Sequence, residues 1–240
     1  MTEPQKPKHA ATVILLRRGA RTGFEVFLTR RPEGMPFLGG MYCFPGGTVR
    51  KEDRSPAMVQ RCHGLTPSQA RRILGAYLTP PQALGFWVAA SRELFEEAGV
   101  LLATRVDGER ISLDTNTTRS LAEKQASSKR AVSFQSLLES EQLYCDLSRL
   151  TYLSHWQTPS RQPIRFDTRF FLATLPEGQS ALSSSDEVVH SLWLTPDRAL
   201  SLCEKKELPM IFPTFASLRT LADFDSLESL LREYCLKVSS

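Results

Sequence analysis

The sequence predicts an α+β protein, an α/β/α sandwich around a mixed sheet, on three observations. Strand-like apolar runs come early, at residues 10–17 and 24–30, and return late, at 150–156, 165–175 and 187–194. Between the two groups lies a helix-forming run, 81–100, with no interior proline and with Gly99 at its end, where glycine commonly follows a helix. A second helical periodicity comes late: Phe215, Leu218, Leu221, Phe224, Leu227, Leu230 and Leu231 recur at helical spacing. Strands, a helix, strands and late helices suit helical layers packed on a central sheet.

Taken in order, the polar residues 1–9 are expected to be disordered, and 10–240 to form a single domain. Residues 18–23 hold two glycines and suit a hairpin connection. Residues 31–40, with Pro32, Pro36 and three glycines, read as a loop. A short strand at 41–44 enters the turn Pro45-Gly46-Gly47, whose glycines permit close approach of the backbone to a ligand. Residues 54–86 predict a helical excursion. In it Thr66 caps a helix with Pro67 first and Gln69 third, and Thr79-Pro80-Pro81 restarts the chain. A strand is expected to begin in 100–105. Residues 118–142 read as one or two helices, packed over the site or at a subunit contact, which allows a homodimer. Thr195-Pro196 starts a helix running to about Lys205, and 213–237 forms a last helical region.

Composition narrows the function classes. With 240 residues, 41% hydrophobic and 23% charged, the chain is long enough for one sizeable core. The net charge of +4 is spread out, with no Arg/Lys run longer than a pair, so the concentrated basic stripe of a nucleic-acid binder is missing. Five cysteines, an odd number with no CxxC, read as free thiols of a reducing compartment. No apolar run reaches membrane-spanning length and the first residues carry no apolar signal core, so a cytoplasmic location is expected.

The chemistry concentrates in Arg92-Glu93-Leu94-Phe95-Glu96-Glu97-Ala98-Gly99-Val100. On a helix, residues three and four apart share a face, so Glu93, Glu96 and Glu97 project together. Their mutual repulsion disfavours a lone helix, and a divalent cation removes it; magnesium and manganese prefer carboxylate oxygens. The competing reading is a solvated acidic face with Arg92 and Glu96 paired at i,i+4.

The spacing resembles the second half of the Nudix box, the signature of the Nudix hydrolase family. Phe44-Pro45-Gly46-Gly47, followed after six residues by Asp53, resembles the first half. One departure is large: the family places the arginine 14 residues after the glycine, and here Gly47 and Arg92 are 45 apart, so 31 extra residues interrupt the box. Such an insertion is inexpensive, about 1 kcal/mol of added loop-closure entropy. The resemblance implies the fold above and hydrolysis of a nucleoside diphosphate derivative with Mg2+ or Mn2+. It implies that Glu93, Glu96, Glu97 and Gly47 hold the metal and that Arg92 orients a neighbouring glutamate. Water is activated by Glu93 or Glu96, or by Glu187 outside the box. Asp53, shorter than the usual glutamate, is expected to be structural.

For the substrate, Leu28-Thr29-Arg30-Arg31 and the glycine-rich loop before the box resemble coenzyme A diphosphatases, although the histidine expected between Met35 and Tyr42 is absent. The interrupted box resembles the acyl-coenzyme A branch. Arg30, Arg31, Arg165 and Arg169, with the Gly46 backbone, are the candidate phosphate contacts. The expected partner is a small-molecule diphosphate, coenzyme A or an acyl derivative; nucleotide sugars or dinucleotides are the alternative substrates, and a non-catalytic ligand sensor is the alternative class.

Overall fold

The computed structural model describes residues 6–19, 23–35, 38–111, 113–127, 133–181 and 188–239. The strands are β1 (Lys8–Arg18), β2 (Phe24–Arg30), β3 (Tyr42–Cys43), β4 (Gly46–Thr48), β5 (Cys62–His63), β6 (Ala103–Thr104), β7 (Tyr144–Asp146), β8 (Thr151–Gln157), β9 (Phe166–Thr174) and β10 (His190–Leu194). The helices are α1 (Pro56–Gln60), α2 (Pro67–Leu74), α3 (Pro80–Ala98), α4 (Thr115–Ser127), α5 (Phe134–Ser140), α6 (Pro196–Glu204), α7 (Phe212–Leu221) and α8 (Leu227–Ser239).

The main sheet is mixed, in the order β10-β2-β1-β9-β8, with β1 parallel to β9 and antiparallel to β2. Near its N-terminal end β1 exchanges β2 for β4, pairing Ala10 with Thr48, Ala11 with Gly47 and Thr12 with Gly46. That exchange carries the glycine turn onto the sheet. Alternation along β1 divides the core between two faces. Ala11, Val13 and Leu15 pack with α3, while Ile14 and Leu16 pack with Leu218, Leu221, Leu227 and Leu230 of α7 and α8. The layers are therefore α/β/α.

The insertion is helical, as its capping chemistry predicts. Thr66 and Gln69 form a reciprocal capping box on α2, and Thr79 and Gln82 form a second one on α3. Ala70 and Leu74 of α2 join the core that surrounds α3. Almost every α3 residue from Ala83 to Ala98 is buried, so α3 is an interior helix, apolar nearly all round. Gly99 ends it in the left-handed conformation, φ 65°.

Three local expectations change. Strand β1 begins at Lys8, inside the stretch 1–9 expected to be disordered, because its backbone pairs with β9. Gly46-Gly47-Thr48 is a short strand rather than only a turn. Of a second small sheet, β5-β7-β6, only β6 was anticipated, within 100–105; its strands are two or three residues long and exist through tertiary pairing. Helix α1, in the insertion, begins with Ser55 accepting from the Met58 N–H.

The insertion is tied to the sheet by a polar cluster. The Arg169 guanidinium, 1% exposed, donates to Asp167 at 2.5 Å and to the Tyr77 hydroxyl, and lies 5.1 Å from the Phe86 ring centroid. His155 also bonds Asp167. Burial pushes the Asp167 carboxyl up, but the Arg169 hydrogen bond and charge outweigh it and hold the group below its ordinary 3.8. Burial holds His9 below its ordinary 6.5 against the pull of Asp167.

Asp167→Ala is expected to cost about 3–5 kcal/mol in urea denaturation, because Arg169 is left buried without its carboxylate. Both shifts mean that the unfolded chain binds protons more readily than the folded one. Stability contributed by His9 is present above pH 6.5 and lost as pH falls through its lower folded value; Asp167 repeats this below 3.8. Urea midpoints measured across pH 3–7 on wild type and His9→Gln check it, and the variant should lack the first step.

Candidate active site

The last two turns of α3 present Arg92, Glu93, Glu96 and Glu97 towards β4 and the turn at Glu52–Arg54. Arg92 is the hub. Its Nε and Nη2 donate to the two oxygens of Asp53 at 2.8 and 2.9 Å, and Nη2 also donates to the Thr48 carbonyl at 2.9 Å. Its Nη1 donates to Glu93 Oε1 at 2.5 Å and to Glu96 Oε2 at 2.9 Å. Burial works against the Arg92 charge, but the Asp53 hydrogen bond and the surrounding carboxylates outweigh it and raise its pKa. Asp53, 3% exposed, also accepts the Arg50 N–H at 2.8 Å.

The box reassembles across its insertion. A Cβ on Gly47 would fall 2.5 Å from Glu93 Oε1 and 2.6 Å from its Cδ, so only glycine lets the β4 backbone lie against that carboxylate. Glu97 Oε2 accepts the Gly46 N–H at 3.1 Å. Burial pushes the Glu93 carboxyl up, and Arg92 pulls it part of the way back. Glu96 accepts both terminal nitrogens of Arg50, at 3.2 and 3.0 Å.

The expected ligand set is thus gathered but not converged. Among the described residues no three acidic or other ligating side chains stand ready around one point. The reason is electrostatic: Arg92 and Arg50 draw Glu93 and Glu96 to themselves, and Glu97 turns to Gly46. The donor chemistry nevertheless fits a hard divalent cation, with carboxylates and glycine backbone lying against one another.

The candidate phosphate contacts are scattered. Arg30 closes β2 and donates to Glu33 at 3.0 Å and to the Gly40 carbonyl at 3.3 Å. Arg31 and Glu97 both act on Cys43, whose thiol burial pushes up to about 11, so Arg31 lies close to the box. Arg165 donates to the Thr158 carbonyl at 3.2 Å. Arg169 is a correction: expected at a phosphate, it is enclosed between Asp167, Tyr77 and Phe86, where it serves the fold. Glu187 lies outside the described residues. Sequence reasoning missed Arg50 and Tyr77, whose partners lie 46 and 92 positions away with no spacing rule to reveal them.

The chain belongs to the NUDT19 Nudix domain family, whose model matches residues 7–221. It is 28% identical over 276 residues to "Acyl-coenzyme A diphosphatase NUDT19" of Homo sapiens, covering 97% of this chain and 73% of that protein. It is 29% identical over 244 residues to the protein of the same name from Gallus gallus, covering 86% of this chain and 63% of the relative. Among solved structures, a NUDIX hydrolase from Alicyclobacillus acidocaldarius superposes with TM-score 0.76 and 28% identity over 98% of this chain and 97% of that one. Nudix hydrolases generally use divalent metal ions. Among the described residues no helix is long and apolar enough to cross a membrane.

Gly47→Ala is expected to separate fold from site. The new methyl meets the far end of a flexible side chain, so stability should fall by less than about 1.5 kcal/mol while Glu93 is displaced. Thermal denaturation should show a near-native transition, and divalent-ion binding measured by calorimetry should weaken at least about tenfold.

Proposed function

We propose that this chain is a metal-dependent pyrophosphohydrolase acting on coenzyme A or an acyl-coenzyme A, releasing the phosphopantetheine half and adenosine 3',5'-bisphosphate. The observation that carries the reaction type is the reassembled box: Gly46 and Gly47 lie against Glu97 and Glu93 although 31 extra residues separate its halves. The substrate class is supported by the similarity to the two acyl-coenzyme A diphosphatases.

Glu93, Glu96, Glu97 and the Gly47 backbone would hold Mg2+ or Mn2+. When bound, such an ion neutralises charge on phosphoryl oxygens and makes water a better nucleophile. Arg92 holds Glu93 and Glu96 in position from behind, where burial keeps it out of contact with substrate. Glu93, set between Arg92 and Gly47, positions the attacking water; Glu187 is the alternative base. Arg31, with a buried Nε that has no hydrogen-bond partner, is the strongest of the predicted phosphate contacts, followed by Arg30 and Arg165. The free thiols of Cys43, Cys62, Cys145 and Cys203 support a cytoplasmic setting.

The test is a panel of coenzyme A, an acyl-coenzyme A, a nucleotide sugar and a dinucleotide, each with Mg2+ or Mn2+. Coenzyme A compounds should turn over, and Glu97→Gln should lower kcat at least about a hundredfold. Turnover of sugar nucleotides or dinucleotides alone would move the substrate assignment. Binding without any turnover would make the chain a ligand sensor.

A further inference from the structure

The two ends of β1 are covered differently on the face that looks towards α7 and α8. Ile14 and Leu16, towards its C-terminal end, are sealed under those helices. Nearer the N-terminal end, register lines up four residues from four strands. Thr48 of β4 pairs with Ala10 of β1, Ala10 with Thr168 of β9, and Thr168 with Trp156 of β8. Paired residues of adjacent strands project from one face of the sheet, so these side chains form a single row. Thr48, Thr168 and Trp156 in it are partly exposed. Strands lie about 4.8 Å apart, so three steps carry the row roughly 14 Å from Thr48 to Trp156. The result is a shallow trough whose near end adjoins the box: Thr48 follows Gly47, and its carbonyl accepts from Arg92.

The middle of the row is small and its far end is aromatic. There Phe212 meets Trp156 edge-on, with ring centroids 5.6 Å apart and planes at 83°, and is itself 68% exposed. The segment that carries Phe212 is held to β3, because the Tyr42 N–H donates to the Pro209 carbonyl at 2.8 Å and Tyr42 bridges Met210. Phe212 alone would be an ordinary surface residue. Set against Trp156 at the end of this row, it makes a corner with one ring flat and one ring on edge, a geometry into which a third planar ring fits.

We propose that the trough seats the adenosine half of the substrate, with the base stacked in the corner formed by Trp156 and Phe212. The assignment rests on the coenzyme A reading above, in which the adenosine half is the one that carries a planar ring. The span agrees: a diphosphate at the box and a base at Trp156 are about three strand spacings apart, comparable with an extended adenosine diphosphate. The small side chains of Ala10 and Thr168 leave room for the ribose between them. Stacking grips a base by its face, so the corner supplies affinity for the adenosine half and fixes which half of the substrate lies across the sheet.

Calorimetry on the full chain, with adenosine 3',5'-bisphosphate and Mg2+, tests the corner without any turnover. Phe212→Ala should weaken binding about fivefold or more, the effect of losing one base–aromatic contact. Phe212→Tyr keeps the ring and should keep the affinity; Phe212→Leu keeps apolar bulk without a ring and should not. Val106→Ala, at a comparably exposed position after β6, should leave binding unchanged. No binding by the wild type, no loss in Phe212→Ala, full affinity in Phe212→Leu, or an equal loss in Val106→Ala each overturns the corner. A wild type that shows the expected pattern but hydrolyses no coenzyme A compound fails the functional reading and leaves the corner standing. Turnover of coenzyme A with undiminished binding in Phe212→Ala does the reverse.

Discussion

The buried ion pair between Arg92 and Asp53 is the constraint on which the rest of the site depends. Two parallel hydrogen bonds, with both side chains 3% exposed, join residues 39 positions apart. Desolvating two charges is costly, and such a pair is sustained only when its remaining polar atoms are satisfied. Here they are: Arg92 also serves Thr48, Glu93 and Glu96, and Asp53 also receives the Arg50 N–H. The pair fixes where the insertion leaves and where the box helix returns. The stretch between Asp53 and Arg92 can then be long, since its two ends are pinned at one point.

The same pair also shapes the charge balance of a site rich in carboxylates. Glu93, Glu96 and Glu97 would repel one another on a bare helix. Arg92 offsets this from the interior and Arg50 from the solvent side, and Glu97 is turned onto the Gly46 amide. Neutralisation is therefore built from the chain's own groups, and it holds the carboxylates apart.

Much of this was legible in the residues. The α3 end at Gly99, the Thr66–Gln69 cap and the late periodicity of α7 and α8 follow from local rules of capping and period, while the gathering of Gly47 with Glu93 was implied by the Nudix resemblance. Asp53 was read as structural from its short side chain, and its buried pairing with Arg92 gives the physical content of that reading. What escaped depends on partners distant in sequence. Strands β5 and β7 are too short to carry a period, and their residues become strands only through each other. Arg169 and the candidate contacts Arg30 and Arg165 look alike as letters; what separates them is that Asp167, Tyr77 and Phe86 happen to close around the first.

The enclosure of α3 carries a dynamic consequence. A helix buried on nearly every side, sandwiched between the main sheet and α2, opens only when much of the domain opens, so its amides belong among the slowest to exchange with solvent. Glu93, Glu96 and Glu97 thus ride on the most persistent part of the molecule rather than on a mobile lid. The outer faces of α1 and α2, spliced into the middle of the box, lie at the surface, where substitution leaves that buried helix undisturbed.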